Sequence, residues 1–250
     1  MKMNQGHKSI KVSVHFTPTN LDEMQLKDKN IVVIDVLRAS TSIAIALHNG
    51  AKEIIPVSSI ENAVKISGNL FGDVTLRAGE RNSRMIEGFN LGNSPLEYTE
   101  EVVKGKSIIY MSTNGSVAIL KGKHARNLVV AGFVNLSAVV NFLAKLREDF
   151  TIICAGMENN FCLEDSVCAG RIINKLQSVT DDELVLDDSS TACTILDKNF
   201  GKSTLKMLKN SDHGKYLIEI GFADDLKMCA AVDLVNILPI LTGNVIRLQK

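Results

Sequence analysis

The amino-acid sequence predicts an α/β fold, with a mostly parallel sheet flanked by helices and a more helical C-terminal portion. Short apolar runs alternate with helical segments over most of the chain, as in strand–helix–strand units. The run IVVI at 31–34 is typical of a buried strand, and the helical segment at 43–48 after it ends at Asn49-Gly50. Open sheets of this kind place their ligands at the carboxyl ends of parallel strands.

The same alternation predicts the other elements in order. Further strands are expected at 10–16, 53–57, 74–78, 107–111, 128–133 and 151–155. Helices are expected at 58–67, 98–103, 117–120, 136–147 and 167–177, and in the C-terminal part at 181–200, 205–208, 215–220 and 223–231. The apolar segments at 234–240 and 245–248 are predicted as strands or a closing arm. No break in composition marks a domain boundary, so we expect a single α/β domain over 1–250. If that domain has two lobes, the sequence does not show where one ends and the other begins.

Composition excludes several classes of partner. Lys plus Arg equals Asp plus Glu at 28 each, and the chain has no Trp and three Tyr, which argues against nucleic-acid binding. The polar segment 1–10 lacks the apolar core of a signal peptide, and no apolar run reaches the roughly 18 residues of a membrane span. The five cysteines form no Cys-x-x-Cys pair, which favours a reduced, cytoplasmic protein. The amphipathic segment 136–147 fits a core position or a homo-oligomer contact equally well.

The most informative stretch follows the strand at 31–34. Asp35 is expected at the carboxyl end of that strand, and the hydroxyl residues Ser40, Thr41 and Ser42 at the start of the next helix, where free N–H groups and the helix dipole favour an anion. Arg38 lies between them and can hold a phosphate with its planar fork. A carboxylate beside an anion site calls for a bridging cation, and Mg²⁺ is a common solution. Asp35 could alternatively cap a turn.

Three other loops carry polar residues. Glu80 and Arg81 follow a predicted strand, Thr113-Asn114-Gly115 repeats the strand–turn–helix layout, and Glu164-Asp165 precedes the helix at 167–177. Their ordinary interpretations are a surface ion pair, a turn with a helix cap, and acids at a helix start.

Two further features leave alternatives open. His213 is either a general acid or a structural residue. Haloacid-dehalogenase-type phosphatases place a second Asp two residues after their Asp nucleophile, and here that position is Leu37. Asp35 is therefore interpreted as a metal ligand rather than a covalent nucleophile.

Four motifs together resemble a known family. In chain order they are IDVLRASTSI, AGERNSRMIEGFNLGNSP, MSTNGSVAI and CAGMENNFCLEDSVCAG, and they are similar to the 2-phosphosulfolactate phosphatase (ComB-like) family. The resemblance implies an α/β, Mg²⁺-dependent phosphatase that hydrolyses 2-phospho-3-sulfolactate to 3-sulfolactate and phosphate, a step in coenzyme M synthesis. The residues at the family's motif positions are Asp35, Arg38, Glu80, Arg81, Asn93, Ser94, Thr113, Asn114, Gly115, Glu164 and Asp165.

The resulting hypothesis is a phosphomonoesterase for a small phosphorylated acid. The expected catalytic residues are Asp35, Arg38, Glu164 and Asp165, and the expected Mg²⁺ ligands are Asp35, Glu80, Glu164 and Asp165. The expected substrate-binding residues are Ser40, Thr41, Ser42, Arg81, Asn93, Ser94, Thr113, Asn114 and Gly115, of which Arg81, Asn93 and Ser94 would hold the sulfonate or carboxylate end. The alternatives are a non-catalytic module that binds an anionic metabolite, and a phosphatase for a different small phosphorylated acid.

Overall fold

The computed structural model describes residues 7–69 and 74–249, so most of the polar N-terminal segment lies outside the described residues. The strands are β1 Ser9–His15, β2 Asn30–Ile34, β3 Glu53–Pro56, β4 Thr75–Arg81, β5 Arg84–Met85, β6 Ser107–Met111, β7 Asn127–Ala131, β8 Phe150–Cys154, β9 Glu183–Leu186, β10 Pro239–Thr242 and β11 Val245–Leu248. The helices are α1 Ala39–His48, α2 Ile60–Asn69, α3 Glu100–Val103, α4 Gly115–Lys121, α5 Leu136–Leu146, α6 Leu163–Val179, α7 Asp188–Phe200, α8 Thr204–Asn210, α9 Asp212–Glu219 and α10 Asp225–Cys229. Short 3₁₀ helices occur at Glu23–Leu26, Pro95–Glu97 and Phe133–Asn135.

All strands of the described ranges join one sheet, in the order β5-β4-β6-β3-β11-β10-β7-β2-β8-β1-β9. One parallel block contains β4, β6 and β3, and the other contains β7, β2, β8, β1 and β9. The antiparallel hairpin β10–β11 joins them, with β10 against β7 and β11 against β3. These successive antiparallel pairings reverse the strand direction between the blocks. The prediction of a mostly parallel α/β sheet is confirmed.

Helix α1 lies at the centre of one hydrophobic core. Its residues 39–47 are all buried, as expected for a helix that is apolar around most of its circumference. The same core contains Ile31 and Val33 of β2 together with apolar side chains of β6 and β7. Helix α1 therefore packs against strands of both parallel blocks, which ties the two blocks together around one helix.

A second core lies on the opposite face of the larger block, because alternate residues of β2 belong to the two cores. Buried residues of β1, β2 and β8 pack there with α5, α6 and α7. Leu136, Val139, Val140 and Leu143 of α5 all belong to this core. The apolar face of the segment at 136–147 is thus a core face, and the homo-oligomer stays a prediction.

The structure corrects several predicted boundaries. The acidic start of the helix expected at 181–200 is strand β9, which pairs with β1, before α7 begins at Asp188. Glu80 and Arg81 belong to β4 rather than to a loop after it, because β4 continues into a hairpin with β5. Helix α1 begins at Ala39, one turn earlier than the apolar pattern indicates, and α6 begins at Leu163, so Glu164 and Asp165 lie in its first turn.

Two further findings bear on the composition analysis. No helix in the described ranges is both long and apolar enough to cross a membrane. All five cysteines are buried and none is in a disulfide.

Candidate active site

A cavity of about 380 Å³ opens where the ends of β2, β4, β6 and β8 approach the C-terminal helices. Its walls include residues from four of the loops singled out in the sequence and from α9. The lining residues are Asp35, Leu37, Arg38, Glu80, Asn82, Ser83, Asn93, Thr113, Asn114, Met157, Glu158, His213 and Tyr216. The predicted convergence of distant loops is thus present, with Asp35, Arg38 and Thr113 around one cavity.

Asp35 directly follows β2 and is buried at the base of this cavity. Its Oδ1 accepts a hydrogen bond from the backbone N–H of Ala39 at 3.1 Å, and its own N–H donates to Ser40 Oγ at 2.9 Å. Its Oδ2 accepts no hydrogen bond from the described residues. The pKa of Asp35 is raised to about 6, mainly by burial; the carboxylates of Glu80 and Glu164 contribute to the rise, whereas His213 and the Ala39 N–H oppose it. The site thus gathers negative charge around one carboxylate oxygen that is free to bind a cation.

Gly115 lets helix α4 approach this carboxylate. A Cβ atom at Gly115 would lie 2.6 Å from Asp35 Oδ2 and 2.5 Å from the Cβ of Ala39. Any side chain here would push against the base of the cavity. Gly115 therefore contributes to the site because, having no side chain, it leaves room for the Asp35 carboxylate.

Glu80 joins two turns at the opposite wall. Its Oε1 accepts from the N–H of Thr113 at 2.6 Å, and its Oε2 accepts from the N–H of Ser83 at 2.8 Å. These bonds fix the carboxylate in a buried position where each oxygen still has a second lone pair. Thr113 and Asn114 line the cavity, and Asn114 Oδ1 accepts from the N–H of Glu158 at 3.3 Å.

The adjacent acids Glu164 and Asp165 have different surroundings. Glu164 is buried, and its Oε1 lies 3.2 Å from His213 Nδ1, a residue of the cavity wall. Asp165 instead accepts from the N–H of Val36 at 2.9 Å and of Gly156 at 3.1 Å, and it does not line the cavity. Neither acid lines this cavity: Glu164 lies beside it, in contact with His213 of its wall, whereas Asp165 ties the loops after β2 and β8 together.

Arg38 lines the cavity but its guanidinium already has protein partners. Nη1 donates to Asp225 at 2.6 Å, Nη2 donates to the carbonyl of Ser83 at 2.7 Å, and the group lies 4.1 Å from the ring centre of Phe222. Both Arg38 and Asp225 are almost fully buried. Two of the five N–H donors of Arg38 are therefore bound to the protein, and Asp225 offsets the positive charge. Its role in holding phosphate stays a prediction.

Asn93 and Ser94 are both buried beside this ion pair. Asn93 lines the cavity, and its Oδ1 accepts from the hydroxyl of Tyr110. Its amide nitrogen donates no hydrogen bond to the described residues, so it is available to a ligand. Ser94 Oγ donates to Asp225 at 2.6 Å, which holds the Arg38 partner in place rather than facing the cavity.

The remaining predicted substrate-binding residues do not face the cavity. Ser40 Oγ is bonded to the Asp35 N–H, Thr41 Oγ1 donates to the Val36 carbonyl, and Ser42 Oγ donates to the Asn93 carbonyl. These three hydroxyls stabilise the turn and its neighbours. Arg81 is exposed on the β4–β5 hairpin and is absent from the cavity wall.

Asp225 and Tyr216 are among the residues at the site that were not predicted from the sequence. Asp225 had no local signal, because its partner Arg38 is 187 positions earlier in the chain. Tyr216 lines the cavity from α9, and its hydroxyl lies 3.5 Å from the carbonyl of Asn82.

The turn between β2 and α1 also contributes backbone donors. Leu37 and Arg38 line the cavity, and their backbone N–H groups donate no hydrogen bond within the described part of the chain. Unpaired N–H groups beside a cavity are suited to an anionic ligand.

Comparison with known proteins identifies relatives over nearly the whole chain. The sequence profile of a family described as 2-phosphosulpholactate phosphatase matches residues 15–244. A protein of Caldanaerobacter subterraneus subsp. tengcongensis is 44% identical over 94% of this chain and 96% of its own length. A protein of Thermotoga maritima is 40% identical over 89% of this chain and 93% of its own length, and one of Clostridium novyi is 36% identical over 92% and 96%. Each of the three is named a probable 2-phosphosulfolactate phosphatase.

Proposed function

The chain belongs to the 2-phosphosulfolactate phosphatase family, and from this premise we propose that it hydrolyses 2-phospho-3-sulfolactate to 3-sulfolactate and phosphate. The names of relatives that match over nearly their full length support phosphomonoester hydrolysis. We propose that this reaction is a step of coenzyme M biosynthesis, in which sulfolactate is an intermediate.

One observation carries the proposal: carboxylates from three separate elements lie in or beside one small cavity. Asp35 and Glu80 line it, and Glu164 contacts His213 in its wall. A binding module for an anion has no use for such a cluster, because like charges repel the ligand. A phosphatase that uses a divalent cation needs it.

The donor set fits Mg²⁺. Asp35 Oδ2 accepts no hydrogen bond from the described residues, and the carboxylates of Glu80 and Glu164 lie close enough to raise the pKa of Asp35. Mg²⁺ prefers oxygen ligands and is usually held by one or two carboxylates together with substrate phosphate. Asp35, Glu80 and Glu164 would hold the ion. When bound, it would neutralise the phosphate and stabilise charge on the transferring group.

The chain's own groups would bind and orient the substrate. The free N–H groups of Leu37 and Arg38 can donate to the phosphate oxygens, as oriented backbone dipoles do at anion sites. The amide nitrogen of Asn93 is available for the second acidic end of the substrate. His213 would deliver a proton to the leaving oxygen; its position in the cavity wall and its contact with Glu164 support this role.

The test is phosphate release from 2-phosphosulfolactate and from phospholactate, phosphoglycolate and phosphoglycerate, with and without Mg²⁺. We expect Mg²⁺-dependent turnover that is fastest with the sulfonated substrate, and almost none for Asp35→Asn. The control is Glu100→Gln, an exposed acid whose ion pair with Lys104 is remote from the cavity.

Other outcomes decide against the proposal. Mg²⁺-dependent turnover retained by Asp35→Asn would contradict the role of this carboxylate. Faster turnover of a non-sulfonated acid would reassign the substrate within the phosphatase class. Tight binding of the phosphorylated acids with no phosphate release under any condition would make the protein a binding module.

A further inference from the structure

A second group of metal-ligating side chains lies beside the candidate active site. It consists of Cys162, the residue before α6, Glu164 in the first turn of α6, and His213 in the first turn of α9. One ligand atom from each residue lies within 4.8 Å of the other two, and all three residues are buried. The phosphatase proposal uses Glu164 and His213 but has no task for the thiol.

We propose that Cys162, Glu164 and His213 form a three-ligand site for a thiophilic divalent cation of the Zn²⁺ class. A thiol, an imidazole and a carboxylate are the donors that Zn²⁺ takes from proteins, whereas Mg²⁺ requires oxygen. The site is thus chemically distinct from the carboxylate cluster of Asp35, Glu80 and Glu164, although both include Glu164.

The geometry is close to what such an ion needs. Zn–S bonds of about 2.3 Å and Zn–N or Zn–O bonds of about 2.0–2.2 Å place tetrahedral ligand atoms roughly 3.5 Å apart. Glu164 Oε1 and His213 Nδ1 are already 3.2 Å apart. The remaining separations are at most 4.8 Å, so the thiol needs to move by at most about 1.3 Å to close the site.

The surroundings favour a cation and leave it accessible. Glu164, Asp165 and Asp35 place negative charge around the Cys162 thiol, and a bound cation would offset those charges. A second cavity of about 320 Å³ is lined by all three ligands and shares Met157, Glu158 and His213 with the first. Three protein ligands and a solvent-facing side are typical of zinc sites that keep one open position.

The positions of the other four cysteines support the assignment of Cys162 as the thiol ligand. Cys154, Cys168, Cys193 and Cys229 are buried in the hydrophobic core cluster that contains α6 and α7, and none lines either cavity. Cys193 therefore provides a matched control: a buried thiol that lies outside both sites.

The test measures Zn²⁺ binding by the full chain, by competition with a chromophoric chelator, so it does not depend on turnover. Wild type is expected to bind one Zn²⁺, and Cys162→Ser and His213→Gln are each expected to bind at least about tenfold more weakly, since even outer-shell changes cost about 10–100-fold. Cys193→Ser should match wild type. With Co²⁺, a thiolate charge-transfer band should appear in wild type and disappear in Cys162→Ser.

The same data can overturn the proposal. Unchanged Zn²⁺ affinity in Cys162→Ser would mean that the ion binds the carboxylates alone. Equally weak Zn²⁺ binding by wild type and by both ligand variants would mean that there is no site. Circular dichroism of each variant identifies folding failure, and His213→Gln, on a different helix, tests the same site independently of Cys162. Because Zn²⁺ binding is measured without turnover, a negative result overturns this proposal alone, and Mg²⁺-dependent phosphate release by the wild type remains the separate test of the proposed function.

Discussion

Gly115→Ala is the sharpest test of how the site is built, because the structure predicts a specific collision. The new Cβ would lie 2.6 Å from Asp35 Oδ2 and 2.5 Å from the Ala39 Cβ, against 3.4 Å or more in ordinary contact. Either the carboxylate or the start of α1 must move by about 0.8 Å. A misplacement of about 1 Å at a reacting group can reduce the rate on the order of 100-fold, or about 2.7 kcal/mol of transition-state stabilisation.

The variant should also lose stability. Adding a methyl group to a well-packed contact costs typically about 1–3 kcal/mol. The matched control is Gly68→Ala, which lies on the exposed helix α2 with no heavy atom within 4 Å of the new Cβ. That change should be neutral or stabilise by up to about 1 kcal/mol, because it lowers the entropy of the unfolded chain.

Two measurements separate these effects. Urea unfolding gives the change in the free energy of unfolding, and phosphate release at saturating substrate gives kcat. For Gly115→Ala we expect kcat to fall by a larger factor than the folded fraction does. For Gly68→Ala we expect both kcat and the folded fraction to be preserved. Wild-type turnover and stability in Gly115→Ala would refute the close approach of α4 to Asp35.

Three further predictions follow from specific contacts. Asp225→Asn leaves Arg38 without its buried counter-charge, so the free energy of unfolding in urea should fall by about 3–5 kcal/mol. The Arg147 guanidinium holds the pKa of Asp182 well below its usual range, so this pair stabilises the fold above about pH 4 and loses its effect as pH falls through the lowered pKa. The stability difference between wild type and Asp182→Asn should therefore shrink in acid unfolding curves. Gly170→Ala would place a Cβ 1.9 Å from the carbonyl oxygen of Cys193, so thermal unfolding should show a loss of at least about 1–3 kcal/mol from separation of α6 and α7.

The parts of the fold that could be predicted are those fixed by local pattern. The buried run at 31–34 and the alternating run at 10–16 both became strands, because side-chain period and β-branching are local properties. The segment Glu183–Leu186 was predicted as helix and is a strand. Its partner is β1, and a contact with residues 9–12 is invisible in a local window.

The site residues divide in a similar way. Strand-end position indicated Asp35, Glu80 and Thr113, and all three line the cavity. Asp35 follows β2 of one parallel block, whereas Glu80 and Thr113 lie at the ends of β4 and β6 in the block of opposite direction, so their meeting at one cavity is a property of the folded sheet. Position alone could not separate Glu164 from Asp165. Adjacent helical residues point about 100° apart, so one faces His213 and the other faces two backbone N–H groups.

The largest revision concerns Arg38, and it changes how charge in the cavity must be balanced. Sequence reasoning used its guanidinium to hold phosphate, but the structure pairs it with Asp225 at 2.6 Å. Asp35, Glu80 and Glu158 in the cavity wall then have no matching cation among the described lining residues apart from His213. A dianionic substrate cannot enter a negative cavity without cost, because two unit charges about 4 Å apart repel by about 4 kcal/mol at an effective dielectric constant of about 20. The proposal of a divalent cation is therefore supported more by the folded arrangement than by the motif, since Asp225 already offsets the positive charge of Arg38.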